Sequence, residues 1–511
     1  MSSHRFTYLP IHYKISSVFV LLLLVAASSS AQVVKDYNPS IQRTAQLQYF
    51  KPIEPHLFSG DGMPYYHNGT FYLYWLLDEG HHAGLDGLGG HQWALSTTTD
   101  LVHWKHHPVA LGIDNEAWEK SICTGSVIAA NDQFYAFYAT RVKDENGVHE
   151  QLSYAISKDG GYTYEKQSPN PFYLAPEECI SRDFRDPKVF KGSDGLFHLF
   201  VSGNLKEPAI SGFGGYLVHL VSIDLKNWEE VESPLRGQQG TPECTDYFKW
   251  NDWYYLLYSI AGHTHYVMAK EPYGPWVYPE SQALIAHFEC VYKTAEFKGG
   301  RRIAVAYSPY RADDKDNGDR IWGGTILFRE VYQEPDGTFA TKFLPEVLPA
   351  SSPMAMPQIK TSAPSIVAIT DGRVEITAAG EVGVAEVNDL PDNYRISMRI
   401  EPDGNYEELG LFLRATDKRT SGYRLTLNPN HETVVMHNTS IDAVKGLDEP
   451  ILLDVIVYED FFDISVNNKR TVVNRLPEQK GNNLFFYVKN GNAAIRDVKI
   501  EKIVNLNNPN L

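Results

Sequence analysis

Three carboxylates stand out by position rather than by number. Asp61 precedes the dipeptide Asn68-Gly69 by seven residues, Asp186 precedes Asp194-Gly195 by eight, and Glu243 precedes Asn251-Asp252 by eight. Each dipeptide lies between β-rich runs and reads as a tight hairpin turn. The acids therefore share nearly one register, at the start of equivalent strands. Taken singly, Gly60-Asp61-Gly62 reads as a turn and Arg185-Asp186 as a local ion pair. Taken together, they are like charges that repel, which a chain accepts mainly where function requires it. Paired carboxyls at a channel mouth among Tyr and Trp rings suit glycoside cleavage. One acid protonates the leaving oxygen, a second attacks the sugar or activates water, and aromatic faces stack on sugar rings.

Such acids need a scaffold that brings distant strands to one point, and internal repetition supplies it. Segments starting at Met63, Ser126, Asp186 and Cys244 share an apolar strand, a polar turn and an aromatic-rich strand; a weaker fifth starts at Phe288. Their turns, completed by Asn131-Asp132 and Gly299-Gly300, step along the chain by 63, 63, 57 and 48 residues. The stretch from Ser96 to Trp104 recurs loosely at Ser157 and again from Ser222 to Trp228, giving the units a second half. Four short strands repeated five times predict an all-β fold, a five-bladed β-propeller over 45–345, in which ring closure hides the sheet edges. Stacked β-sandwiches are the competing arrangement, and the regular spacing favours the propeller. The first strand of each unit then lines the channel, so Asp61, Asp186 and Glu243 converge on one end. Unit two carries Cys123-Thr124 at that register, and unit five offers Glu289 somewhat earlier.

From Pro345 the texture changes. Residues 346–364 are proline-rich and read as a surface linker. Beyond them Ile396, Met398 and Ile400 alternate with Arg395, Ser397 and Arg399, and short strands with frequent turns predict a C-terminal β-sandwich over 365–506.

Composition bounds the partners. The 511 residues carry 63 Asp and Glu against 46 Lys and Arg, a net charge of −17, and this acidic field argues against a nucleic-acid partner. Four cysteines exclude a disulfide scaffold; Cys244 and Cys290, each after a Glu, either pair or remain buried thiols. Asp78, His81, His82, Asp86 and His91 match no zinc spacing, so no metal or other cofactor is expected. At the amino terminus Arg5, His12 and Lys14 precede the apolar run Val18 to Val25 and a small-residue exit at Ala31. This pattern predicts a cleaved signal peptide over 1–31, no stable membrane span, and an exported protein, secreted or periplasmic.

The site residues also carry a resemblance. Phe184-Arg185-Asp186-Pro187 resembles the Arg-Asp-Pro motif of glycoside hydrolase family 32, the invertase, levanase and inulinase family. Pro242-Glu243-Cys244 resembles its Glu-Cys motif, and Thr124-Gly125-Ser126 its Ser-Gly-Ser stretch. The resemblance implies Asp61 as nucleophile, Glu243 as acid/base and Asp186 as transition-state stabiliser, in a retaining cleavage of β-fructofuranosidic bonds in sucrose, a fructan or a related furanoside. Arg185, Trp75, Thr124, His91, Trp93 and Glu289 are the expected substrate contacts, His91 and Trp93 from a Gly-rich loop at the channel rim. The partner is an oligo- or polysaccharide. One departure is marked: the family's Asn-Asp-Pro-Asn-Gly reads Gly60-Asp61-Gly62-Met63-Pro64, and its Gln on the next strand is Leu76. Two other readings compete, an inverting arabinan- or xylan-directed furanosidase on a similar propeller and a non-catalytic sugar-binding propeller.

Overall fold

The computed structural model describes residues 36–504, apart from 117 and 417–419. The expected signal segment lies outside the described residues. Hairpins dominate because turn dipeptides with positive φ, such as Asn68 at 47° and Gly69 at 83°, separate strands of matched length.

Blade one is β1 (Leu57–His67), β2 (Thr70–Glu79), β3 (Gln92–Thr98) and β4 (Trp104–Leu111). Blade two is β5 (Glu119–Ala130), β6 (Gln133–Asp144), β7 (Gly147–Ser157) and β8 (Glu165–Lys166). Blade three is β9 (Arg185–Lys191), β10 (Phe197–Asn204), β11 (Gly215–Ser222) and β12 (Glu229–Val231), with β13 (Arg236–Gln238) also on β11. Blade four is β14 (Glu243–Trp250), β15 (Trp253–Ile260) and β16 (His263–Ala269), extended where Val277 bridges Met268. Blade five is β17 (Cys290–Phe297), β18 (Arg301–Arg311), β19 (Arg320–Gln333) and β20 (Phe339–Lys342). The inner strands β1, β5, β9, β14 and β17 touch in a closed ring, and a pairing of Ser59 with Gly324 joins blade five to blade one.

Each inner strand carries a bulge at its channel-mouth end, where two residues face one on the neighbouring strand. The bulged pairs are Gly60-Asp61, Cys123-Thr124, Asp186-Pro187, Cys244-Thr245 and Val291-Tyr292. Asp186, Cys244 and Val291 take positive φ there, 57°, 51° and 54°. The bulge breaks the strict alternation of faces and turns these side chains toward the mouth.

The C-terminal sheets run from Ser351 to Ile503, organised on the long strand Asn483–Ile503. Ile396, Met398 and Ile400 are buried and Arg395, Ser397 and Arg399 are not, as the alternation predicts. The stretch 346–364 differs from the linker expected: Ser351–Pro353 pairs with Glu501–Ile503, and Ile359–Lys360 pairs with residues 386 and 387. Unpaired sheet edges recruit these segments even though prolines flank them. Tyr255, Tyr266 and Phe339 of the propeller pack on Ile456, Phe461 and Val473 of the sandwich, fixing the two domains together. Among the described residues no helix is long and apolar enough to cross a membrane.

Candidate active site

The bulges of all five blades open into one cavity of about 480 Å³. Asp61 is 7% exposed; its Oδ2 accepts the Thr124 hydroxyl at 2.5 Å and the Cys244 thiol at 3.4 Å. Its Oδ1 has no hydrogen-bond partner among the described residues. The carboxylate is thus held by one oxygen and leaves the other unengaged. Asp186 is buried beside it and accepts the Cys244 backbone N–H at 2.9 Å through Oδ2. Glu243 lies nearer the mouth, with its side chain 28% exposed, and accepts Arg185 Nη2 at 2.7 Å.

Burial dominates the electrostatics, because a desolvated carboxylate favours its protonated form. It raises Asp61 against the hydrogen bonds from Thr124 and Cys244, and raises Glu243 against the charge of Arg185. Asp186 is pushed up to about 6, with Arg185 opposing the burial. Lys293 from β17, buried in the channel with its ammonium on the Gly125 carbonyl at 3.0 Å, favours the ionised forms of Asp61 and Asp186. The acids are therefore unequal: Asp61 is pinned and enclosed, and Glu243 is poised at the opening with a raised pKa. That asymmetry suits one group to attack and the other to donate a proton.

Thr124, Arg185 and His91 line the cavity with the three acids. His91 is buried, with Nε2 3.2 Å from Asp78 Oδ1 and its ring stacked on Trp322 at 4.4 Å. The other three expected contacts are corrected by the structure. Trp75 is fully buried within blade one and donates to Ser96 Oγ, because the side chain that faces the cavity on β2 is its neighbour Leu76. Trp93 is fully buried on β3, donating to the Cys123 carbonyl at 2.9 Å beneath the bulge rather than standing at the rim. Glu289 turns away from the channel to pair with Arg329, which also holds Asp463 of the sandwich, so a buried cation between the domains captures it.

The cavity residues that escape the sequence reading include Trp322, Tyr307 and Arg320 from blade five, Arg141 and Glu150 from blade two, and Arg182 and Asp183 just before β9. Arg141 and Glu150 are cross-strand partners flanking the β6–β7 turn, a pairing that a hairpin register count would have exposed. All four cysteines are free and buried. Among the described residues no group of His, Cys, Asp and Glu side chains converges as a metal site.

The sequence of residues 57–313 matches the family described as glycosyl hydrolases family 32 N-terminal domain. The chain is 25% identical over 285 residues to sucrose-6-phosphate hydrolase of Escherichia coli, covering 50% of this chain and 56% of that protein. It is 29% identical over 247 residues to levanase of Bacillus subtilis, covering 45% and 32%. The match thus spans about half or less of the length of these relatives. Among solved structures, fructan 1-exohydrolase IIa from Cichorium intybus superposes with a TM-score of 0.66 at 16% identity, over 91% of this chain and 98% of that one. Exo-inulinase from Aspergillus awamori gives 0.66 at 15% identity, over 92% and 99%. These likenesses extend across both domains and bear on the fold.

Proposed function

The chain belongs to glycosyl hydrolase family 32, and from that premise we propose that it hydrolyses β-fructofuranosidic bonds of sucrose, a fructan or a related furanoside by retaining double displacement. Glu243 protonates the leaving oxygen while Asp61 Oδ1 attacks the anomeric carbon, giving a glycosyl-enzyme and a released alcohol. Water then attacks the same carbon, Glu243 takes its proton, and Asp61 leaves as the carboxylate. Asp186, on the Cys244 amide, stabilises the positive charge that develops on the sugar ring. The observation that carries this reading is the unequal pair in one cavity: Asp61 bonded through Oδ2 alone, and Glu243 raised yet partly open. The basic, then apolar, then small-residue amino terminus supports export of the enzyme.

A panel of sucrose, levan, inulin and arabinan tests the substrate, with Asp61→Asn and Glu243→Gln as controls. Fructoside cleavage is expected, with each variant slower by about 10³-fold or more, as for residues acting at the reacting atoms. The first product anomer, followed by NMR, should keep the substrate's configuration. Cleavage of arabinan alone, or variants as active as the parent, would overturn the reading.

A further inference from the structure

One guanidinium at the site serves four carboxylates. Arg185 lies 2.7 Å from Glu243, 3.2 Å from Asp183, 3.5 Å from Glu150 and 3.9 Å from Asp186. Glu150 differs from Asp183 in being 1% rather than 25% exposed, so water screens its charge least. Its Oε1 is fixed from the far side by Arg141, through Nη2 at 2.7 Å and Nε at 2.9 Å. Arg141 in turn spends Nη1 on neutral partners, the Leu88 carbonyl and His82 Nε2. Charges therefore alternate along one wall of the cavity, from Arg141 through Glu150 and Arg185 to Glu243.

We propose that Glu150 is a positioning residue for the acid/base group: it shares Arg185 with Glu243 and sets how much positive charge the Glu243 carboxyl feels. This rests on the reading of Glu243 as acid/base. The other groups facing Glu243 are Asp61, Asp186, Cys244 and Tyr307. Those facing Glu150 are Arg141, Arg185, Cys123, His82 and His91. Arg185 favours ionised Glu243, whereas Glu150 disfavours it, directly and by drawing on the same guanidinium. Without Glu150, Arg185 would hold Glu243 ionised at the pH where a proton must be donated. Arg141 moderates Glu150 in the same manner.

The two flanking groups therefore predict shifts of opposite sign. In Glu150→Gln the Glu243 carboxyl loses a repelling neighbour, so the basic limb of kcat/KM moves to lower pH by about one unit. That is about a tenfold loss above the limb and little loss below it. In Arg141→Met the Glu150 charge loses its counter-ion, and the basic limb moves to higher pH. Glu150→Asp keeps the charge and should keep the limb close to its parent position. The profiles are recorded on the cleaved fructoside, with thermal melting to verify folding. If Glu150→Gln does not fold, the direction of the Arg141→Met shift decides. Limbs that stay in place, or move in the same direction in both variants, overturn the proposal. If Asp61→Asn or Glu243→Gln retains parent activity, the site assignment has failed instead, before Glu150 is tested.

Discussion

Adding one methyl group at Gly60 should damage both stability and turnover. A Cβ built there stands 2.2 Å from Trp322 Cη2, 2.9 Å from Cζ2 and 3.0 Å from Cζ3. Carbon atoms settle near 3.5 Å, so the indole or the strand must yield by about 1.3 Å. The indole has little room, since His91 stacks against it at 4.4 Å and Tyr307 stands 5.6 Å away. Strand β1 therefore moves, and Asp61 is the next residue. Overpacking of this kind costs about 1–3 kcal/mol, and displacing a reacting group by about 1 Å costs on the order of 10² in rate. Gly60→Ala should thus lower the melting temperature and reduce kcat/KM about 100-fold. Trp322→Leu in the same chain should restore most of the melting temperature, giving a coupling energy of about 1 kcal/mol or more in a double-mutant cycle. A Gly60→Ala protein that melts and turns over like the parent would refute the close packing of blade five on the Asp61 bulge.

Other consequences follow away from the reacting atoms. Arg329→Met should leave Glu289 and Asp463 buried without their cation and cost about 3–5 kcal/mol in urea unfolding, with kcat/KM of the folded fraction unchanged. His91 is lowered to about 3 and His82 to about 4, chiefly by burial and, for both, by Arg141; His91 also acts on His82. Each depressed imidazole contributes stability that is present above the unfolded value near 6.5 and is lost as pH falls toward 3 to 4. Melting temperature should therefore drop between pH 7 and pH 5, and His91→Gln should show a smaller drop. An unchanged difference between the two pH values would remove His91 from this acid sensitivity.

The ring of blades was legible because hairpin turns are local. Asn68-Gly69 and its counterparts fix where a strand reverses, and the aromatic strands between them need only pack on their neighbours. The acids Asp61, Asp186 and Glu243 were found by register for the same reason. Trp75 was misplaced by strand parity, whereas Trp93, which pairs with Leu76 and shares its face, is covered by the Cys123 bulge whose carbonyl it bonds. On a pleated strand adjacent residues face opposite sides, so Leu76 meets the cavity while Trp75 packs among Phe50, Leu73 and Leu77. No composition count reveals which parity a bulge will select. Glu289 sits one residue before β17 and looked equivalent to the channel acids, but Arg329 and Asp463 lie 40 and 174 residues further along the chain. Its partner is a product of domain docking and has no local signature. Trp322 is invisible for a related reason, since it reaches the site only when the ring closes and β19 comes against β1.

Closure also bears on the altered nucleophile segment. An asparagine lost before Asp61 suggests a decayed site when only the chain is considered. In the fold, Gly60 sits where the Trp322 edge leaves no room for a side chain. Gly62 is confined likewise, since a Cβ there would stand 2.6 Å from Val305 Cγ1. Met63 keeps a role in the ring, with its sulfur accepting the Gly125 N–H at 3.2 Å. Random loss of function would not be expected to leave an indole fitted over the vacated position, a hydroxyl and a thiol still converging on Asp61 Oδ2, and Arg185 still on Glu243. The substitutions around Asp61 therefore support a repacked sugar pocket, with an aromatic edge in place of an amide, over a retired one. The amide could have bonded a sugar hydroxyl; the indole can only pack on C–H groups or donate its single N–H. Selectivity among furanosides should accordingly depend more on ring shape at Trp322 than on hydroxyl pairing beside Asp61. Trp322→Ala should therefore raise KM more than it lowers kcat, and equal losses in both would count against that view.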